Sequence, residues 1–248
     1  MRYFLELSYH GKNYHGWQRQ PNAITVQEVL EKALSTLLRK SISIIGAGRT
    51  DAGVHAKVMV AHFDTVLTSL QEGQLVYQLN QFLSSDIAVH SLKKVHHDAH
   101  ARFDAISRSY EYYITSENTA FNNDLHFLLK NDLDIEAMNK AASRLLDYED
   151  FECFSKSNTD VKTFLCKIEK AEWIKTENGY IFTITANRFL RNMVRAIVGT
   201  LLNVGQGKIN SKQFLMILES KDRSKAGFSA PAHALFLTKI TYPKSVYI

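Results

Sequence analysis

Near the start of the chain, Tyr3, Leu5, Leu7 and Tyr9 occupy every second position, the period of a strand with one face in a core. The period then changes. Val26, Val29, Leu30, Ala33, Leu34, Leu37 and Leu38 recur at three- and four-residue spacing behind Thr25 with Glu28, a capping box, which predicts a helix from about residue 26. Ser43 to Ile45 and Val58 to Phe63 read as strands, Leu75, Leu79, Phe82 and Leu83 as a second helix, and Ile87 to Val95 as a strand. The order β-α-β-β-α-β is that of a ferredoxin-like, RRM-like half.

The second half repeats this order loosely. A strand is expected around Ile106 to Ile114, a helix carrying Met138, Ala141, Ala142, Leu145 and Leu146, and strands near Lys167 to Trp173 and Tyr180 to Ala186. A long helix, a short one from about Ser211 and a strand at Phe236 to Tyr242 follow. The fold class expected is α+β: two ferredoxin-like halves forming one continuous mixed or antiparallel sheet with helices on one face. The boundary is placed between residues 1–105 and 106–248. The halves share architecture and no residue-level similarity.

A chain of 248 residues, 45% hydrophobic, can bury a sizeable core, and three prolines and eleven glycines leave no composition for a long flexible linker. Thirty Lys and Arg against 25 Asp and Glu give a net charge of +5, which favours anionic partners without naming one. Cys153 and Cys166, without a CxxC pairing, argue against a disulfide framework and a thiolate zinc site, and read as buried reduced thiols. His96, His97 and His100 lack the spacing of a metal site. The opening Met1 to Glu6 has no signal-peptide core and no stretch approaches about 20 apolar residues, so a soluble cytoplasmic protein is expected.

Candidate chemistry concentrates in Gly46-Ala47-Gly48-Arg49-Thr50-Asp51-Ala52-Gly53-Val54-His55-Ala56, a tight loop between two strands. A bare Thr-Asp-Ala-Gly would be read as an ordinary turn. A second cluster is Arg108, Tyr110 and Tyr112, sent to one side by strand alternation, an aromatic and basic set suited to stacking a base, although half-buried tyrosines on a sheet are the plainer alternative. A third lies at Asn187 to Gly199. There Leu190, Met193, Val194, Ile197, Val198, Leu201 and Leu202 form an apolar stripe, and Arg188, Arg191, Asn192 and Arg195 are expected on the opposite helical face, a cationic row or simply a solvated one. Tyr14-His15-Gly16-Trp17-Gln18-Arg19-Gln20-Pro21, Ala101-Arg102-Phe103 and Gly227-Phe228-Ser229-Ala230-Pro231-Ala232 are further motifs.

Together these segments resemble the TruA-type tRNA pseudouridine synthase family over nearly the whole chain. Glu149-Asp150-Phe151 stands where the family pattern has His-Asp-Phe, and Ala232-His233-Ala234-Leu235 where it has Ala-x-Gly-Leu. The resemblance implies that Asp51 is the catalytic carboxylate, attacking ribose C1′ or acting as a base on the sugar. It implies that Arg49 displaces the target base and fills its place, that Arg195 is the cation keeping Asp51 ionised, and that Tyr110 stacks on the uracil. Arg108 and Arg191 are candidate substrate contacts. His55 is a structural residue or a phosphate contact. No cofactor and no metal is required, because the isomerisation involves no net redox change. The family's expected substrate is the tRNA anticodon stem-loop, at positions 38, 39 and 40, bound by a homodimer. Rival readings are a non-catalytic RNA-binding module and the same chemistry on another RNA site.

Overall fold

The computed structural model describes residues 1–66, 71–118, 120, 123–157 and 161–248. In chain order the strands and α-helices are β1 (Arg2–Tyr9), α1 (Val26–Leu38), β2 (Ile45–Gly46), β3 (His55–Asp64), α2 (Glu72–Phe82), β4 (Ile87–Val95), β5 (Ser107–Thr115), β6 (Phe127–Leu128), α3 (Ile135–Ser143), β7 (Ile168–Thr176), β8 (Gly179–Ala186), α4 (Met193–Gly205), α5 (Ser211–Ser220) and β9 (Leu235–Thr241). They divide into two compact units, Met1–Ser107 with Leu237–Ile248, and Arg108–Phe236. The division expected at 105/106 thus falls at 107/108, and the C-terminal segment returns to the first unit instead of staying in the second. The fastening is local and specific: the Ile106 N–H donates to the Thr241 carbonyl at 2.8 Å, and the Tyr242 hydroxyl donates to the Ala101 carbonyl.

In the first unit β1 runs antiparallel between β3 and β4, and the order continues to β9 beyond β3. β2 is a two-residue strand that pairs with β3, with Ile45 opposite His62. Tyr3, Leu5, Leu7 and Tyr9 are all buried, as their alternation requires, with Phe63, Ala61 and Met59 of β3 opposite the first three, and Leu30, Leu34 and Leu79 of the helices are buried as well. Phe4 is buried as well, although it points to the other face, because the rings of Tyr242 and Tyr247 cover it at 5.1 and 6.2 Å. α1 begins at Thr25, whose hydroxyl accepts the Glu28 N–H at 3.4 Å, while the Glu28 carboxylate turns to Arg19 at 3.8 Å. A reciprocal capping box occurs instead at α5, between Asn210 and Gln213.

In the second unit β8 lies between antiparallel β5 and β7, and β6 adds a parallel pairing to β5, which makes the sheet mixed. α3 packs on β7 and on α4 and α5. Trp173, Phe182, Phe151, Phe154, Phe214, Ile197 and Leu201 form its core, each at most 2% exposed. Burial pushes the Cys153 thiol up to about 12 and the Cys166 thiol up to about 11, so both stay protonated and unreactive at neutral pH. The class is α+β throughout. Among the described residues no helix is long and apolar enough to cross a membrane.

The cationic helical row is corrected by the structure. α4 starts only at Met193, because Asn192 takes the left-handed conformation at φ 66° and ψ 0°, through which a right-handed helix cannot propagate backwards. Arg188 and Arg191 therefore belong to the connection after β8, and of the proposed row only Arg195 lies on the helix.

Candidate active site

The loop between β2 and β3 is fixed from below by the segment that follows β1. The Ala47 N–H donates to the Val60 carbonyl at 2.8 Å and the Val54 N–H to the Asp51 carbonyl at 3.1 Å, which closes the turn around residues 51–54. From the neighbouring segment, the Trp17 N–H donates to the Thr50 carbonyl, and the Gly53 N–H donates to the Tyr14 carbonyl, both at 3.3 Å. The hydroxyls of Tyr9 and Thr50 are hydrogen-bonded at 2.8 Å inside the protein. Contact is so close that a Cβ on Gly46 would lie 2.5 Å from the Trp17 indole, and one on Gly11 would lie 2.1 Å from the Val54 carbonyl oxygen.

These constraints alternate the side chains across the loop. Arg49 is exposed, Thr50 is buried, Asp51 is half-buried and Ala52 is exposed. Thr50 acts as the pin that turns its neighbours outward. His55 sits inside at 1% exposure, where its Nδ1 accepts the Gly11 N–H at 3.0 Å and its ring meets that of His10 edge-on at 4.4 Å. That environment favours the structural of its two expected roles. The motif Tyr14 to Pro21 carried no assigned role in the sequence; its Tyr14, Gly16 and Trp17 are the platform on which the Asp51 loop rests. The only sequence signal for this was the glycine and tryptophan themselves.

In the second unit β5 carries the Arg108, Tyr110, Tyr112 series. Arg108 donates through Nη1 to the Asn187 carbonyl at 2.8 Å. Tyr110 is half-buried, with its ring perpendicular to Phe189 at 5.2 Å. Tyr112 is fully buried, so of the two tyrosines only Tyr110 keeps exposed surface. Burial raises the Tyr112 hydroxyl well above the ordinary phenol range, with the Arg195 charge acting in the opposite sense.

Arg195 lies in the first turn of α4, where its Nε donates to the Ala230 carbonyl at 2.6 Å while its own carbonyl accepts the Ala230 N–H at 3.0 Å. The Gly227 to Ala232 motif is thereby explained as a strap over the helix start. Asn192 Nδ2 donates to Ser229 Oγ at 2.7 Å, and the Gly227 N–H donates to Thr200 Oγ1 at 2.8 Å. A Cβ on Gly199 would lie 1.9 Å from the Phe228 carbonyl oxygen, so the strap can approach only a glycine. Arg191 is exposed, and its carbonyl accepts the Lys156 N–H at 3.0 Å. Among the described residues no group of three or more His, Cys, Asp or Glu is placed to hold a metal ion.

Comparison with known proteins gives one consistent result. The family model described as tRNA pseudouridine synthase matches residues 7–104 and 141–243. A Bacteroides fragilis protein named tRNA pseudouridine synthase A is 53% identical over 247 residues, covering 99% of this chain and 98% of its own length. The protein of that name from Bacteroides thetaiotaomicron is 53% identical over 251 residues, covering 99% of this chain and 92% of its own. The one from Thermoanaerobacter sp. is 43% identical over 242 residues, with 96% and 98% covered.

Proposed function

The chain belongs to the tRNA pseudouridine synthase family, an isomerase family, and on that premise we propose that it isomerises uridine in the anticodon stem-loop of tRNA, at positions 38, 39 and 40, with Asp51 as nucleophile or base. In this reaction the bond between N1 and C1′ breaks, the base turns, and C5 joins C1′. The C5 proton leaves and N1 takes one up, so atoms and electrons balance without a redox partner. The observation that carries the reading is the clamped loop. A half-buried Asp51 and an exposed Arg49, flanking a buried and hydrogen-bonded Thr50, are the arrangement a carboxylate needs to meet a sugar from a fixed position.

A stacked uridine must be extruded before its sugar is reachable, at a cost of a few kcal/mol. Arg49, exposed on the same loop, is suited to fill the gap. The resemblance assigns Arg195 as the cation paired with Asp51, and the strap that fixes its guanidinium supports an ordered role for it. Tyr110, half-buried with its ring perpendicular to that of Phe189, suits stacking on the uracil, and Arg108 and Arg191 suit contacts to the RNA backbone. A homodimer in the cytoplasm is part of the same proposal, and sedimentation of the pure protein tests the assembly.

The deciding experiment maps pseudouridine on tRNA treated with the wild-type chain and with Asp51→Ala, in EDTA and without added cofactor. Conversion in the anticodon arm by wild type, with tRNA binding but no conversion by the variant, is expected. Conversion at other positions moves the substrate assignment. Binding by wild type with every uridine unchanged makes the chain an RNA-binding module.

A further inference from the structure

The turn between β4 and β5 is fastened more heavily than a simple connection requires. Arg2 of β1 donates through Nη1 to the Ala99 carbonyl at 2.9 Å, His62 of β3 accepts the Ala101 N–H at 3.1 Å, and Tyr242, just past β9, donates its hydroxyl to the Ala101 carbonyl. Within the turn the His100 N–H donates to the Asp104 carboxylate at 2.7 Å, and the Asp104 N–H donates back to the His100 carbonyl at 3.0 Å. The N–H groups of Arg102 and Phe103 both point at His100 Nδ1, at 3.1 and 3.3 Å.

What this scaffold holds outward is Phe103, 73% exposed. The His100 ring lies against it at 4.3 Å between centroids, and the exposed Arg102 guanidinium lies over the ring, 5.5 Å from its centroid. A single exposed phenylalanine is ordinary. A ring on a fixed turn, still 73% exposed with an imidazole and a guanidinium both lying against it, is a different object. Little ordering remains to be done when a flat partner lands on it, and a base with its phosphate matches both the ring and the charge. His100 receives two N–H groups at one nitrogen, and its burial and the nearby Arg2 keep it below the usual imidazole range, so at neutral pH the brace is uncharged. The Asp104 carboxylate, which would repel a phosphate, is engaged by the His100 N–H.

We propose that Phe103, braced by His100 and flanked by Arg102, is a stacking platform for one unpaired base of the RNA substrate, with Arg102 on the adjacent phosphate. It is a binding site apart from the Asp51 loop, and it rests on the RNA-modifying reading above.

The test measures tRNA affinity and steady-state kinetics for the wild-type chain, Phe103→Ala, Phe103→Leu, Phe103→Trp and Arg102→Ala. Phe103→Ala is expected to raise Kd and KM about tenfold, within the range for one stacked base, with kcat at saturating tRNA unchanged. Phe103→Leu, which keeps an apolar side chain and the fold but has no aromatic face, should lose affinity equally, and Phe103→Trp should retain it. Arg102→Ala should flatten the dependence of log Kd on log salt by about one. Wild-type affinity in Phe103→Leu and Phe103→Ala, with wild type still making pseudouridine, overturns the platform and leaves the enzyme reading standing. A wild-type chain that binds no tRNA overturns both. Loss of a dimer in Phe103→Leu, with tRNA affinity per subunit unchanged, assigns the ring to a second copy of the chain and overturns the RNA platform.

Discussion

Gly16 holds φ at +87°, a conformation that L side chains rarely adopt, and a Cβ there would lie 2.3 Å from the Thr50 carbonyl oxygen. A single methyl group would therefore push away the residue that orients Asp51. Gly16→Ala is expected to cost on the order of 2–4 kcal/mol and to depress pseudouridine formation further than the loss of folded protein explains, as unfolding curves beside initial rates would show. His62 offers a test of a different kind. Burial, followed by the charges of Arg2 and His100, lowers it to about 4, and its Nδ1 is the acceptor for the Ala101 N–H. The folded state thus resists a proton that the unfolded chain takes up at about 6.5. Stability from this group is complete above that pH and is lost as pH falls from about 6.5 to about 4, by up to a few kcal/mol. Unfolding free energies measured across this window should slope upward with pH in wild type, and the slope should flatten in His62→Gln.

At the scale of elements, the start of α4 depends on the strap that crosses it. Gly199→Ala should displace residues 227–230, release the Ala230 carbonyl from Arg195 Nε, and lower kcat at least tenfold while a folded protein remains; near wild-type kcat would show that the strap does not govern Arg195. The apolar stripe from Met193 to Leu202 was legible in the sequence because helical periodicity is local. The true start of that helix was not, since Leu190 fits the same stripe and nothing in a period of 3.6 reveals that Asn192 is left-handed. β1, β3, β4 and the Asp51 loop between two strands were equally legible, each carrying its own alternation or turn residues. The clamp that Tyr14, Gly16 and Trp17 place on that loop was hidden, because it joins segments some thirty-five residues apart through backbone groups that every residue possesses. Pattern also showed β9 as a strand without disclosing which unit it would complete.

For the whole molecule, a net charge of +5 and a sequence pI near 9.0 place a diffuse attraction behind every local contact with RNA. The log of tRNA affinity should fall linearly with the log of salt concentration, by about 0.7 to 0.9 for each phosphate neutralised, and a flat dependence would point away from a polyanionic substrate. The return of Leu237–Ile248 to the first unit has a consequence in time. During synthesis the ribosome completes Arg108–Phe236 before it supplies the strand that sits beside β3, the Tyr242 hydroxyl that ties down Ala101 and the Tyr247 ring over Phe4. The half that is translated first is the half whose chain is completed last. Until β9 and the residues after it emerge, the part of the β3 edge not taken by β2 lacks its strand and Phe4 of β1 lacks its covering rings, so an interrupted chain carries on its surface the mark of being unfinished.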